Sequence, residues 1–323
     1  MKLITLIIPC YNEKEVLPFL IKRLNDVTES LINYQFEYLF VDDGSTDTTL
    51  DLIKGYSETD DKIRYIELSR NFGKEIGMLA GMDYAAGDAV IIIDADLQHP
   101  PEKIIEMIEW WEKGYDDVYT VRLNREESYF KKVTSKLYYK LLQKMTEENI
   151  YPNSGDFRLL DRKCVNALTS MRESERYTKG MYGWIGFEKK ELTYTEEERV
   201  AGDTKWHFKQ LLKLAIDGIT SYSTIPLRMS SVLGIIISII GFVFLVIEII
   251  KILINGPEVA GYGTLLVGIL FMGGIQLISL GIIGEYLSRI FIETKERPPY
   301  LVNETNINEK VNDEDEKNPK KQL

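Results

Sequence analysis

Two long apolar runs limit what this chain can become. Val232–Ile250 is nineteen residues with one charge, Glu248, near its end, and Thr264–Ile283 is twenty residues with none. A helix needs about 20 apolar residues to cross a hydrocarbon core of roughly 30 Å. Inside lipid the backbone must satisfy its own hydrogen bonds, so runs of this kind span as helices. Two membrane spans are expected, joined by a short loop containing Asn255-Gly256-Pro257. Lys205, Lys209, Lys213 and Arg228 precede the first run, and Arg289, Lys295 and Arg297 follow the second, while the connecting segment offers Lys251 at its edge. The positive-inside rule then puts both large flanks and both termini in the cytoplasm. The N-terminus opens directly on a strand-like run with no signal-peptide pattern.

Ahead of the spans the hydrophobic pattern changes. Apolar runs at Leu3–Pro9, Glu37–Val41, Ile63–Leu68 and Ala89–Asp94 read as strands. Helices are expected between them, at about Glu15–Leu31, Thr48–Tyr56 and Gly73–Ala86, with another starting at Pro100-Pro101, where proline is tolerated. Strands alternating with helices imply an α/β fold with a parallel, doubly wound sheet. In such sheets ligands bind beyond the carboxyl ends of the strands. No GxGxxG fingerprint is present, so NAD binding is not expected.

The fourth strand ends in Asp94-Ala95-Asp96-Leu97-Gln98-His99-Pro100. Two carboxylates two residues apart leave a strand on the same side. Hard divalent cations take oxygen ligands, and Mg²⁺ is usually held by one or two carboxylates plus a substrate's phosphates. The pair reads as a metal–diphosphate site; solvated acids at a strand end are the plain alternative. Three further polar loops share this edge: Pro9-Cys10-Tyr11-Asn12-Glu13, Asp42-Asp43-Gly44-Ser45 and Ser69–Lys74. Convergence of four loops favours a binding crevice over four unrelated turns.

Composition removes several classes. The formal charge of −11 argues against a nucleic-acid partner. Cys10 and Cys164 are far apart with no metal-ligand spacing, and two histidines leave little room for zinc or triad chemistry.

Beyond the fourth strand the signals are individually weaker. Asp116–Val121 reads as a strand running to Arg122 and Arg125. Lys131 and Ser135 lie four apart on one helical face, which suits either phosphate binding or a solvated surface. Asp156 precedes a short strand, where a turn acid is unremarkable. Arg199 and Lys205 stand six residues apart around Gly202, a basic loop able to neutralise a diphosphate. Phe208, Leu211, Leu212, Ala215, Ile216 and Ile219 form an apolar stripe, expected to lie in the membrane interface. From about Val302 the tail is polar and charge-mixed and is expected to be disordered. The expected organisation is a catalytic domain at 1–206, an interfacial segment at 207–228, two spans at 229–286 and a tail at 287–323.

A metal–diphosphate site on a membrane anchor suggests sugar transfer from a nucleotide sugar to a lipid. Ile8–Glu13, Val41–Ser45, Asn71–Lys74, Asp94–Gln98 and Arg199…Gly202-Asp203-Thr204-Lys205-Trp206 resemble family 2 glycosyltransferases, in the polyprenyl-phosphate branch. The resemblance runs from about Lys2 to Tyr300 and includes the two-span hairpin. It implies a glycosyltransferase-A fold (Rossmann-like, mainly parallel sheet) and inverting transfer of glucose or N-acetylglucosamine from a UDP-sugar to undecaprenyl phosphate, with Mg²⁺ or Mn²⁺. It further implies a homo-oligomer, a tetramer among the options.

By motif, Pro9, Tyr11, Glu13, Asp42 and Lys74 would hold base and ribose, and Asp94 would approach the nucleotide. Asp96 and Gln98 would take the metal, and Arg122, Lys131 and Ser135 the acceptor phosphate. Asp156 matches an acid placed by the reacting centre, as base or orienter. His99 replaces an acid often seen in its motif and receives no function. Two rivals stand beside this reading. A processive polysaccharide synthase would carry Gln-x-x-Arg-Trp and more spans. A catalytically silent scaffold would bind nucleotide sugar without turning it over.

Overall fold

The computed structural model describes residues 1–123, 154–174, 176–195, 225–255 and 261–307. The chain divides into two units. Described residues up to 195 and from 298 onward form an α/β unit, and those from 225 to 297 a helical one.

The α/β unit is built on one eight-stranded sheet. Its elements are β1 (Lys2–Cys10), α1 (Leu17–Thr28), β2 (Tyr34–Asp42), α2 (Thr49–Thr59), β3 (Ile63–Leu68), α3 (Lys74–Tyr84), β4 (Ala89–Ile92), α4 (Lys103–Glu112) and β5 (Asp117–Arg122). After these come β6 (Ser154–Asp161), α5 (Arg162–Ser170), α6 (Thr178–Trp184), β7 (Lys189–Tyr194) and, following the helical unit, β8 (Val302–Thr305). The strand order is β7-β5-β6-β4-β1-β2-β3-β8. β4, β1, β2 and β3 are parallel neighbours, as the alternating pattern predicts.

Side-chain alternation sends each central strand's apolar residues to two layers. Ile4, Leu6 and Ile8 of β1 pack with Leu17, Leu20 and Leu24 of α1 and with Ile104, Met107 and Trp111 of α4. Ile7, from the same strand, packs with Met78 of α3 and with Val165 and Leu168 of α5 on the opposite face. A strand buried on both faces is apolar along nearly its whole length, which is why β1 and β4 read as near-continuous runs, with the hydrogen-bonded Thr5 the exception in β1. α3 sits close on β1 because Gly81 has no Cβ; one added there would clash with Ile7 Cγ2.

Three features depart from the sequence reading. First, the sheet is not parallel throughout: β6 runs antiparallel to both β4 and β5. Second, Asp156 lies within β6 rather than before a short strand, because Ser154 already pairs with Val121 of β5. Third, residues 302–307 of the tail are ordered. β8 pairs antiparallel with β3, Tyr65 N–H donates to Asn306 Oδ1 at 2.9 Å, and Thr305 Oγ1 donates to Tyr65 O at 2.7 Å. The edge of β3 offers unpaired backbone groups that a polar strand satisfies as well as an apolar one; composition alone therefore misjudged this segment.

At the other end of the sheet, Arg158 is buried, and its Nη1 donates to both carboxylate oxygens of Asp117, at 3.2 and 3.0 Å. Its guanidinium carbon lies 3.3 Å from the Tyr182 ring centroid. Lys189 Nζ approaches the same carboxylate at 3.1 Å, so the buried charges are paired.

The helical unit contains α7 (Ile225–Asn255) and α8 (Tyr262–Glu293). Among the described residues, the stretch Phe271–Glu293 of α8 is long and apolar enough to cross a membrane, and the apolar stretch Met229–Phe244 of α7 is shorter. The expected interfacial helix from Phe208 lies outside the described residues.

Ending the chain at Tyr300 should remove β8 and its hydrogen bonds to β3. At about 1 kcal/mol per bond, the α/β unit should lose roughly 2–4 kcal/mol. Amides of Ile63–Leu68 should then exchange faster with solvent; unchanged protection would mean that β8 adds nothing to the edge.

Candidate active site

Four parallel strands deliver their carboxyl ends to one edge, and backbone geometry ties the loops there together. Asn12, with φ of 58°, donates its N–H to Ser45 Oγ at 2.9 Å and accepts from Thr46 N–H through Oδ1 at 2.8 Å. This joins the loop after β1 to the loop after β2. Asp43 then reaches the loop after β3: Oδ1 accepts from Phe72 N–H at 2.6 Å, and Oδ2 from Gly73 N–H at 2.9 Å. Gly44, at φ +69°, lets these loops close, since a Cβ there would lie 2.7 Å from the Arg70 carbonyl carbon. Asp43 had no assigned role, although an acid pair followed by glycine was the visible signal of a turn.

Asp42 is buried, with Oδ2 accepting from Ser45 N–H at 3.0 Å and Oδ1 buried without a partner. Burial pushes its carboxyl above the ordinary range, against the lowering effect of Ser45. Cys10, also buried, is pushed up by burial and then by Asp42, Glu13 and Asp94, so these three acids lie within electrostatic reach of the end of β1. Tyr11 is exposed, and Pro9 packs near Gly77 of α3.

The centre of the edge is an ion cluster. Lys74 Nζ lies 2.6 Å from Asp94 Oδ1 and 2.8 Å from Asp156 Oδ2. The antiparallel register explains this meeting. β4 and β6 pair Ala89 with Asp161, Val90 with Leu160, Ile91 with Leu159 and Ile92 with Arg158. Two steps further along that register, residue 94 faces residue 156. Burial opposes the charge on Lys74, but Asp94 and then Asp156 outweigh it and hold the ammonium above its ordinary range. Burial would likewise raise Asp156, yet Lys74, followed by Lys179, holds it well below the usual carboxylate range. Its second oxygen, Oδ1, is buried without a hydrogen-bond partner. Glu75, the next residue of α3, accepts from Thr178 N–H at 3.1 Å and is raised by burial and by Asp156.

Asp94 and Asp96 follow the end of β4 in a turn where Leu97 has φ of 58°. Asp96 Oδ1 accepts from Gln98 N–H at 3.1 Å, and the Gln98 residue is half-buried. Ligand atoms of Asp94, Asp96 and His99 all lie within 4.8 Å of one another. Metal–ligand bonds of about 2.0–2.1 Å put neighbouring ligands roughly 3 Å apart and opposite ones about 4.2 Å apart. The cluster therefore fits a divalent cation with small side-chain adjustment. Burial lowers the pKa of His99, leaving a neutral imidazole at neutral pH. Arg122 ends β5 and donates through Nε to Tyr194 Oη at 3.0 Å. Lys131, Ser135, Arg199 and Lys205 lie outside the described residues.

A doubly wound α/β sheet with an Asp-x-Asp cluster at its carboxyl edge has the glycosyltransferase-A type of architecture. The chain belongs to glycosyl transferase family 2, whose model matches residues 5–169. It is 46% identical to an uncharacterized glycosyltransferase of Synechocystis sp., over 93% of this chain and 95% of that one. It is 43% identical to the putative glycosyltransferase CsbB of Bacillus subtilis, over 94% and 92%. With the bactoprenol glucosyl transferase of Shigella phage SfV the identity is 41%, over 93% and 97%.

Replacing Asp156 by Asn gives a pH-dependent prediction. A carboxyl lowered on folding stabilises the native state above its unfolded pKa, near 3.9, and that contribution fades as pH falls toward the folded value. The stability gap between wild type and Asp156→Asn should shrink as pH drops from about 5 to 2. A gap independent of pH would contradict the ion-paired state of Asp156.

Proposed function

We propose that the protein transfers a hexose, glucose or N-acetylglucosamine, from a UDP-sugar to undecaprenyl phosphate with inversion at the anomeric carbon. The supporting observation is the cluster of Asp94, Asp96, Lys74 and Asp156 at the sheet edge, in a chain that aligns along most of its length with bactoprenol glucosyl transferases. In this reading Pro9, Tyr11, Glu13 and Asp42 form the base and ribose end of the donor site. Arg199 and Lys205 add positive charge against the diphosphate. Asp96 and Gln98, next to Asp94, hold Mg²⁺ or Mn²⁺. What a bound divalent cation supplies here is neutralisation of the charge developing on the leaving nucleoside diphosphate.

Asp156 serves as an orienting acid rather than a base. A carboxylate held well below its ordinary range is a poor proton acceptor, and the Lys74 contact gives it a fixed partner. The acceptor supports the same division of labour. A phosphate monoester with a second pKa near 6 is mostly dianionic at neutral pH and attacks without a strong base. Arg122, with Lys131 and Ser135, positions that phosphate. Lys74 offsets the repulsion between Asp94 and Asp156 and fixes both relative to the donor.

The membrane supplies the acceptor. α7 and α8 would form a two-span hairpin with the catalytic unit and both termini on the cytoplasmic face, and the chain would assemble as a homo-oligomer. The transferred sugar would then modify a cell-envelope glycan.

The assay combines purified protein with undecaprenyl phosphate, Mg²⁺ or Mn²⁺, and UDP-glucose or UDP-N-acetylglucosamine, and reads UDP release. Release should require both lipid and cation, and Asp96→Ala should slow it by about 10²-fold or more. Equal inactivity of wild type and Asp96→Ala with every donor would favour a nucleotide-sugar-binding scaffold instead.

A further inference from the structure

His99 has no task in the transfer chemistry above, yet it is built into the site more firmly than the acids beside it. Its side chain is 4% exposed, against 25% for Asp94. Phe157 and Tyr194 hold the ring on two sides, with centroids at 5.1 and 5.6 Å. Phe157 is the neighbour of Asp156 on β6, and Tyr194 is the residue that accepts from Arg122. The ring is thus oriented by elements that also carry proposed functional residues.

Within that cage Nδ1 is buried and has no hydrogen-bond partner. It stands 3.8 Å from Asp94 Oδ2, beyond hydrogen-bonding range. A buried, unpaired imidazole nitrogen is unfavourable, and native structures rarely keep one without a purpose. The other oxygen of Asp94 is engaged by Lys74, which leaves Oδ2 turned toward the imidazole. Asp96 completes a group of three ligand atoms within 4.8 Å.

We propose that His99 Nδ1 is a nitrogen ligand to the divalent cation held by Asp96 and Gln98 next to Asp94, and that it biases the site toward Mn²⁺ over Mg²⁺. The proposal rests on the metal–diphosphate reading of the site. Neutral imidazole is a common metal donor through either nitrogen. Mg²⁺ prefers oxygen and holds its waters, whereas nitrogen donors suit the transition metals, whose affinities rise from Mn²⁺ onward. Oxygen donors alone would serve both ions alike; a histidine among them does not.

Pulsed electron paramagnetic resonance of Mn²⁺ bound to the full-length protein with UDP reads the ligand directly. Directly bound imidazole nitrogen gives a ¹⁴N coupling. The chain has one other histidine, His207, so His207→Gln is the control. The coupling should be present in wild type and in His207→Gln, and absent in His99→Phe, which keeps an aromatic ring in the cage. Mn²⁺ affinity in His99→Phe should fall by about tenfold or more, with a smaller change for Mg²⁺. Mn²⁺ that binds in wild type and is lost in Asp96→Ala, but shows no ¹⁴N coupling, would overturn His99 as a ligand and leave the metal–diphosphate reading intact. Failure of wild type to bind Mn²⁺ in the presence of UDP would overturn both. Because the decisive coupling is read in wild type and His207→Gln, the outcome does not depend on the folding of the His99 variant.

Discussion

The Lys74 ammonium, shared between Asp94 and Asp156, is the contact on which the geometry of the sheet edge depends. It joins three elements that are distant in sequence: the start of α3, the turn after β4 and the first residues of β6. Two carboxylates brought together by strand register would repel one another. A cation between them turns that repulsion into a fixed arrangement, and the lowered pKa of Asp156 is its electrostatic signature. The hydrogen bonds of Asp43 to Phe72 and Gly73 act on the same loop from the other side and set where α3 begins. Lys74 is therefore held from two directions: Asp43 fixes the two residues that precede it, and two acids hold its side chain.

That arrangement also shows where sequence reasoning reached its limit. The parallel strands β1 to β4 were legible because each carries a run rich in apolar and β-branched residues, buried on both faces in β1 and β4, at a spacing that leaves room for a helix between successive strands. The Asp94/Asp96 pair was legible because a strand's end and a two-residue spacing are local facts. Asp156 was not. Its importance comes from an antiparallel pairing between β4 and β6, separated by some sixty residues of chain, and no local pattern records which strand lies beside which. Lys74 was found by resemblance, but its bridging role was missed for the same reason. β8 failed differently: polar composition is a fair sign of disorder, yet an exposed strand edge can order a polar segment by backbone pairing alone.

His99 illustrates a third kind of blindness. From the sequence it was a substitution at a position where an acid is often seen, and nothing adjacent said whether the ring faced solvent or the site. Its meaning depends on Phe157 and Tyr194, which lie on β6 and β7 and close around it only in the folded sheet.

The charge balance at this edge bears on the kind of ligand it can accept. Asp42, Asp94, Asp96 and Asp156 stand at the strand ends or beside them, and Lys74 touches two of these acids. A diphosphate brought to such a surface without further positive charge would meet repulsion, which a low-dielectric crevice strengthens. An acidic site suits an anionic donor when its carboxylates are occupied by cations that the donor's phosphates can share. In the proposed donor reading, the buried acids and the basic residues Arg199 and Lys205 would belong to one electrostatic scheme: the acids would define where positive charge collects, and a diphosphate would bind to that charge rather than to the acids themselves.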